Sequence, residues 1–272
     1  MLKGLLIIYH DKFQTMIKSF ISCFIACLFM APAGFAQQTQ DWHLEKMPPD
    51  LEMQFALSSL PPYLRNDATV YLLDPAKGYY MARQGTNGFT AYVNRTEWER
   101  GEFVQDTYAA LGFDAEGAKT LLPIFLDVAV MRASGKYTPT QLRDSIVQRV
   151  KDGRYKAPAR AGICYMLSPV FRTHIEGQGI ISMVMPHYMF YAPFVEDSDI
   201  GGRWVTGGHQ PFVATVGNVL DKAHSIFNYM IIAAGETEKA KIVADEKDLI
   251  QKMYAYKPFL AVDAMQGDNM HH

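Results

Sequence analysis

The chain is poor in cysteine: it has 3 in 272 residues. Two of them, Cys23 and Cys27, sit in an apolar stretch near the N-terminus. If that stretch is removed, Cys164 alone remains and no intrachain disulfide can form. Other absences narrow the function. Lys plus Arg number 26 against 28 Asp plus Glu, a net charge of -2, and no Lys/Arg-rich patch advertises a nucleic-acid partner. No G-x-S-x-G or S-x-x-K nucleophile motif occurs, nor an H-E-x-x-H metal motif. Gly177-Gln178-Gly179 lacks the third glycine and following helix of a dinucleotide fingerprint, and "GGRWVTGGH" lacks P-loop spacing. The sequence leaves the cofactor unknown.

What is present begins with a leader. From Met16, "MIKSFISCFIACLFMAPAGFAQQ" has Lys18, an apolar run from Phe20 to Met30, then Gly34-Phe35-Ala36, the small-residue pattern of a signal-peptidase site. A membrane span needs about 20 apolar residues, so the run is short for an anchor, and Cys23 and Cys27 lie inside it rather than at a lipoprotein-type end. The expected division is a signal peptide over 1–36 with an upstream extension at 1–15, a polar linker at 37–49, one domain at 50–256, and a flexible tail at 257–272. The expected location is the periplasm or the medium, with no transmembrane segment in the mature chain. Hydrophobic residues at 49% suffice for a core without disulfides.

Along the domain, a helix is expected from Asp50 to Leu60, ended by Pro61-Pro62. "ATVYLLDPAKGYYMARQGTNGFTAYVNR" reads as a three-stranded meander with turns at Asp74–Gly78 and Gly85–Gly88, the second carrying the Asn-Gly hairpin signal. The run from Asp114 to Gly135 is helical, with Pro123 a kink or a new start. Thr138-Pro139-Thr140-Gln141 is a capping box opening a helix to about Lys151, with Gly153 behind it. Strands follow at Ile163–Leu167, 179–185 and 187–192, then a loop from Glu196 to Gln210, a strand in "HSIFNYMIIAAG", and a polar helix over roughly 236–256. Together these predict an α+β domain: a mainly antiparallel sheet with helices packed on it.

Candidate chemistry is sparse. Cys164 could be a nucleophile with His174, His187 or His209, but "GICYML" is an apolar strand pattern that predicts a buried, inert thiol. His174, His187, His209 and His224 could meet Glu176 or Asp197 in a metal site without any diagnostic spacing. Asp197–Gly202 begins like a calcium loop but has Gly201 at the fifth position and Gly208 where the closing Glu belongs. In "PHYMFYAP", strand alternation puts His187, Met189 and Tyr191 on one face, either a satisfied core pair or the floor of a pocket.

"GTNGF", "APARAG", "YMLS" and "PHYMFYAP" together resemble an uncharacterised family of exported bacterial proteins, over roughly Ala56 to Gly202. That family has no established activity, cofactor or catalytic residue and lacks the polar helix after Gly235. The resemblance implies export and a single compact domain.

The residues support a binding module first, its pocket lined by Tyr165, Met166, His187, Tyr191 and Trp204 and taking a small apolar or ring-bearing ligand. A hydrolase using Cys164 with a histidine, or a His/carboxylate metal centre, is the alternative. An envelope protein whose C-terminal helix docks a protein partner is the third.

Overall fold

The computed structural model describes residues 44–103, 107–175, 177–202, 210–215 and 219–262. Its centre is an eight-stranded sheet. β1 (Thr69–Asp74) and β2 (Gly78–Arg83) form an antiparallel hairpin, closed by an Asp74 side chain that accepts from the Ala76 amide at 2.9 Å. β3 (Thr90–Asn94) then lies parallel to β1, with Thr69 opposite Thr90 and Val70 opposite Ala91. This corrects the meander: β3 occupies the far edge of β1 instead of pairing with β2. The Gly85–Gly88 loop is the reason. Thr86 and Asn87 amides donate to the Asp67 carbonyl at 2.8 and 3.2 Å, and the Asn87 amide side chain donates to the Leu64 carbonyl at 2.7 Å. These bonds carry the chain back past the start of β1. Gly88 alone has positive φ, at 80°, whereas the two-residue hairpin turn needs it at Asn87 as well.

The remaining strands are antiparallel. β4 (Ala109–Phe113), β5 (Ile163–Met166), β8 (His187–Tyr191), β10 (Tyr229–Ala233) and β9 (Phe212–Ala214) complete the order β2-β1-β3-β4-β5-β8-β10-β9. β6 (Phe171–Ile175) and β7 (Gly179–Met183) form a separate hairpin, tied to the sheet where Tyr108 and Arg172 exchange backbone bonds of 2.9 Å. β6 was not expected; its "FRTHI" is half-buried throughout and has no clean alternation.

Helices cover both faces. On one, α1 (Pro49–Ser58) buries Phe55 and Ala56 and is followed by the one-turn α2 (Pro62–Arg65). On the other lie α3 (Ala115–Thr120), α4 (Leu122–Ala133) and α5 (Pro139–Lys151), which bury Ile124, Leu142 and Ile146 against Tyr92 and Phe113. Pro123 stands near the start of α4, so it marks a new helix rather than a kink. The capping box at Thr138 and Gln141 forms as expected.

A one-turn helix, α6 (Asp197–Ile200), stands inside the stretch read as a loop. The polar C-terminal helix is two helices, α7 (Glu236–Asp245) and α8 (Lys247–Tyr256), broken at Glu246, which ion-pairs with Arg65. α7 buries nothing, while α8 places Leu249, Ile250 and Met253 in the core beside α1. Leu44 and Met47, in the stretch read as a linker, are buried, as are Leu260 and Val262 in the stretch read as a tail. All described residues fall in one compact unit, and the architecture is a single α+β domain. No helix among the described residues is long and apolar enough to cross a membrane.

Candidate functional site

Side chains alternate across a strand, so each face of the sheet has its own set. Cross-strand partners place Tyr92, Leu111, Phe113, Cys164, Met166, His187, Met189, Tyr191, Tyr229 and Ile231 on the α4/α5 face. Tyr165 pairs with Gly112 and Tyr188 and belongs to the opposite face. The expected pocket of Tyr165, Met166, His187 and Tyr191 is therefore not one site, because its first two members point apart. Trp204 lies outside the described residues, as do Glu176 and His209.

His187 is 2% exposed, and its Nδ1 donates to the Met185 carbonyl at 2.7 Å. Burial lowers its pKa, so the ring is neutral at pH 7. Tyr191 is bound at its tip: the hydroxyl stands 2.8 Å from both Asp114 Oδ1 and the Ile163 carbonyl and shares its single proton between them. Asp114 also caps α3, accepting from the Gly117 amide at 2.9 Å. Gly117 and Gly162 make room for this ring. A Cβ at Gly117 would lie 2.1 Å from the Tyr191 hydroxyl, and one at Gly162 would lie 2.6 Å from ring carbon Cε2. Tyr191 thus serves the core.

A cavity of about 360 Å³ opens on the α4/α5 face beside these residues. Met166, Met189 and Leu111 form its sheet wall; Phe125 comes from α4, Phe171 and His174 from β6, and Phe227 and Tyr229 from the last part of the sheet. Its rim carries a 3-10 turn, Trp98–Arg100. His187 stands opposite Met166 and touches the ring of Phe171 at 6.1 Å between centroids, but does not itself line the cavity.

Four polar atoms of this wall are buried without a hydrogen-bond partner: Arg100 Nε, Thr107 Oγ1, His174 Nδ1 and Tyr229 Oη. Buried polar atoms are nearly always paired, so such a concentration needs an explanation. The two carboxylates of the turn differ. Glu97 accepts from the Thr173 hydroxyl and, at 3.4 Å, from the His174 amide, and Arg100 Nε lies 3.8 Å away. Glu99 enters no ion pair among the described residues. Desolvation pushes its pKa up to about 7, and the neighbouring Glu97 charge adds to the rise.

A second cavity of about 330 Å³ lies on the opposite face, between the α1–α2 corner and α7. Tyr63, Tyr165 and Tyr188 line it, and the Tyr188 hydroxyl donates to Glu238. The two aromatic residues of this strand pair that sequence reasoning assigned to one pocket or to none are thus lining a different one.

Cys164 is fully buried between Phe113 and Met189, and burial raises its thiol pKa well above the ordinary value. Those are the opposite conditions to those that activate a nucleophile. Among the described residues, no three His, Cys, Asp or Glu side chains stand close enough to hold a metal ion. The carboxylates of the Asp197–Gly202 turn are spent locally: Asp197 accepts from the Val213 amide at 2.6 Å, and Asp199 pairs with Lys222 at 2.7 Å.

Sequence reasoning missed most of the cavity wall. One signal was available: Glu97-Trp98-Glu99-Arg100 places a tryptophan among opposite charges, without periodicity, just after a strand. No family model matches the chain, and no curated protein or solved structure does.

Proposed function

We propose that this is an exported small-molecule-binding protein whose site is the cavity between the Trp98–Arg100 turn, β6 and the Met166–Met189 part of the sheet. The observation that carries the reading is the set of four unpaired buried polar atoms around one void. The size and the mix of apolar rings with few polar groups suit a small organic ligand. Export rests on the leader-like N-terminal pattern and on the resemblance to an exported family.

Two experiments test it. A panel of ring-bearing fragments, screened by ligand-observed NMR, should yield binders that Ala214→Leu weakens, since Ala214 lines the void. Fragments that bind that variant and the wild type equally would place the site elsewhere. N-terminal sequencing of protein recovered from a bacterial envelope should begin at Gln37; an intact chain from Met1 or Met16 in the cytoplasm would rule out export.

A further inference from the structure

The chemistry of the cavity wall goes further than its size, and the step rests on the reading of this void as the binding site. Three features must be met together. Phe125, Phe171 and Phe227 offer apolar ring surface. Arg100 Nε is a donor that can never accept, and it makes no hydrogen bond, Glu97 Oε2 standing 3.8 Å away; the Thr107 and Tyr229 hydroxyls on the same wall can also donate. Glu99 is a carboxyl at the same wall that makes no ion pair among the described residues, the Arg100 charge being the smallest influence on it, next to a Glu97 carboxylate that accepts from Thr173 and His174 and has Arg100 Nε 3.8 Å away.

We infer that the ligand is a ring-bearing zwitterion, with an ammonium group and a carboxylate on one short stem, as in an aromatic amino acid. A ring acid alone would satisfy Arg100 but set a third carboxylate beside Glu97 and Glu99. A ring amine alone would pair Glu99 but leave the Arg100 donor buried and unmet. One molecule carrying both charges answers both groups and keeps the wall's net charge unchanged. An ammonium at Glu99 also offsets the desolvation that now disfavours its ionised form.

Calorimetric titration with four matched compounds tests this: phenylalanine, phenethylamine, 3-phenylpropionate and 2-phenylethanol. Phenylalanine should bind at least about tenfold more tightly than any of the other three, the ratio set by about 1.4 kcal/mol per factor of ten. Glu99→Gln should weaken phenylalanine and phenethylamine and spare 3-phenylpropionate. Arg100→Gln should weaken phenylalanine and 3-phenylpropionate and spare phenethylamine. Unchanged 2-phenylethanol binding shows that each variant keeps its fold and its cavity. If 2-phenylethanol or either singly charged compound binds as well as phenylalanine, the zwitterion is wrong while the cavity stands. If none of the four binds, the cavity reading falls as well.

Discussion

Tyr165 and Met166 are chain neighbours that serve different cavities: Met166 lines the void against the Trp98 turn, and Tyr165 lines the one beneath α7 on the opposite face. The sheet between them separates the two sites. Substitutions at one should leave the other untouched, since distant sites without shared partners behave additively.

The Tyr191–Asp114 bond joins β8 to the cap of α3, and its removal should be costly. Tyr191→Phe leaves Asp114 and the Ile163 carbonyl short of a buried donor, at a cost of about 1–3 kcal/mol. Asp114→Ala loses the same bond and the Gly117 cap. The double variant should be less destabilised than the sum of the singles in urea denaturation. Full additivity would mean the two side chains are not coupled.

His187 is predicted to stabilise the fold. His187→Ala removes the donor that the Met185 carbonyl uses and the ring packed on Phe171, for about 1–3 kcal/mol. His187→Asn, which retains a donor, should recover part of that loss. A His187→Ala protein with undiminished thermal stability would contradict the structural role.

Much of this was legible in the sequence. The capping box at Thr138 is a local device and reads directly from four residues. The alternation of "HYMFY" also survives, with His187, Met189 and Tyr191 buried and Tyr188 and Phe190 half-buried between them. Two things did not read out. The place of β3 beside β1 depends on bonds from the Gly85–Gly88 loop to Leu64 and Asp67, residues that precede β1. The cavity wall runs from Asn94 to Tyr229 through pieces that only the folded sheet brings together. Grouping Tyr165 with Met166 failed for a simpler reason: adjacency along a strand means opposite faces.

Gly88 should resist substitution although space around it is ample. A Cβ there would meet only the Ala115 Cβ, at 3.6 Å, so the penalty is backbone conformation at φ 80°. Gly88→Val should cost roughly 1 kcal/mol or more, and Gly88→Asn distinctly less, because Asn tolerates this region. Equal melting temperatures for the two variants would show that φ is not what the position requires.

Glu52 should make the protein more stable in mild acid than in mild base. Glu52 is 2% exposed, its carboxyl accepts from the Leu73 amide at 2.8 Å, and desolvation raises its pKa from 4.5 to about 7 despite that bond and the nearby Arg95 charge. A raised carboxyl pKa means that the folded state holds the proton more tightly than the unfolded chain. Its contribution is therefore complete below about pH 4.5 and is lost as pH rises to 7, an effect on the order of 3 kcal/mol. His187 acts in the opposite sense: its lowered pKa costs stability as pH falls below 6.5. Comparing Glu52→Gln with the wild type at each pH cancels that term. The amide keeps an acceptor for Leu73 but cannot ionise, so its stability advantage over the wild type in urea unfolding should be larger at pH 8 than at pH 5. The same stability difference at both values would mean that Glu52 titrates in the folded protein as it does in the unfolded chain.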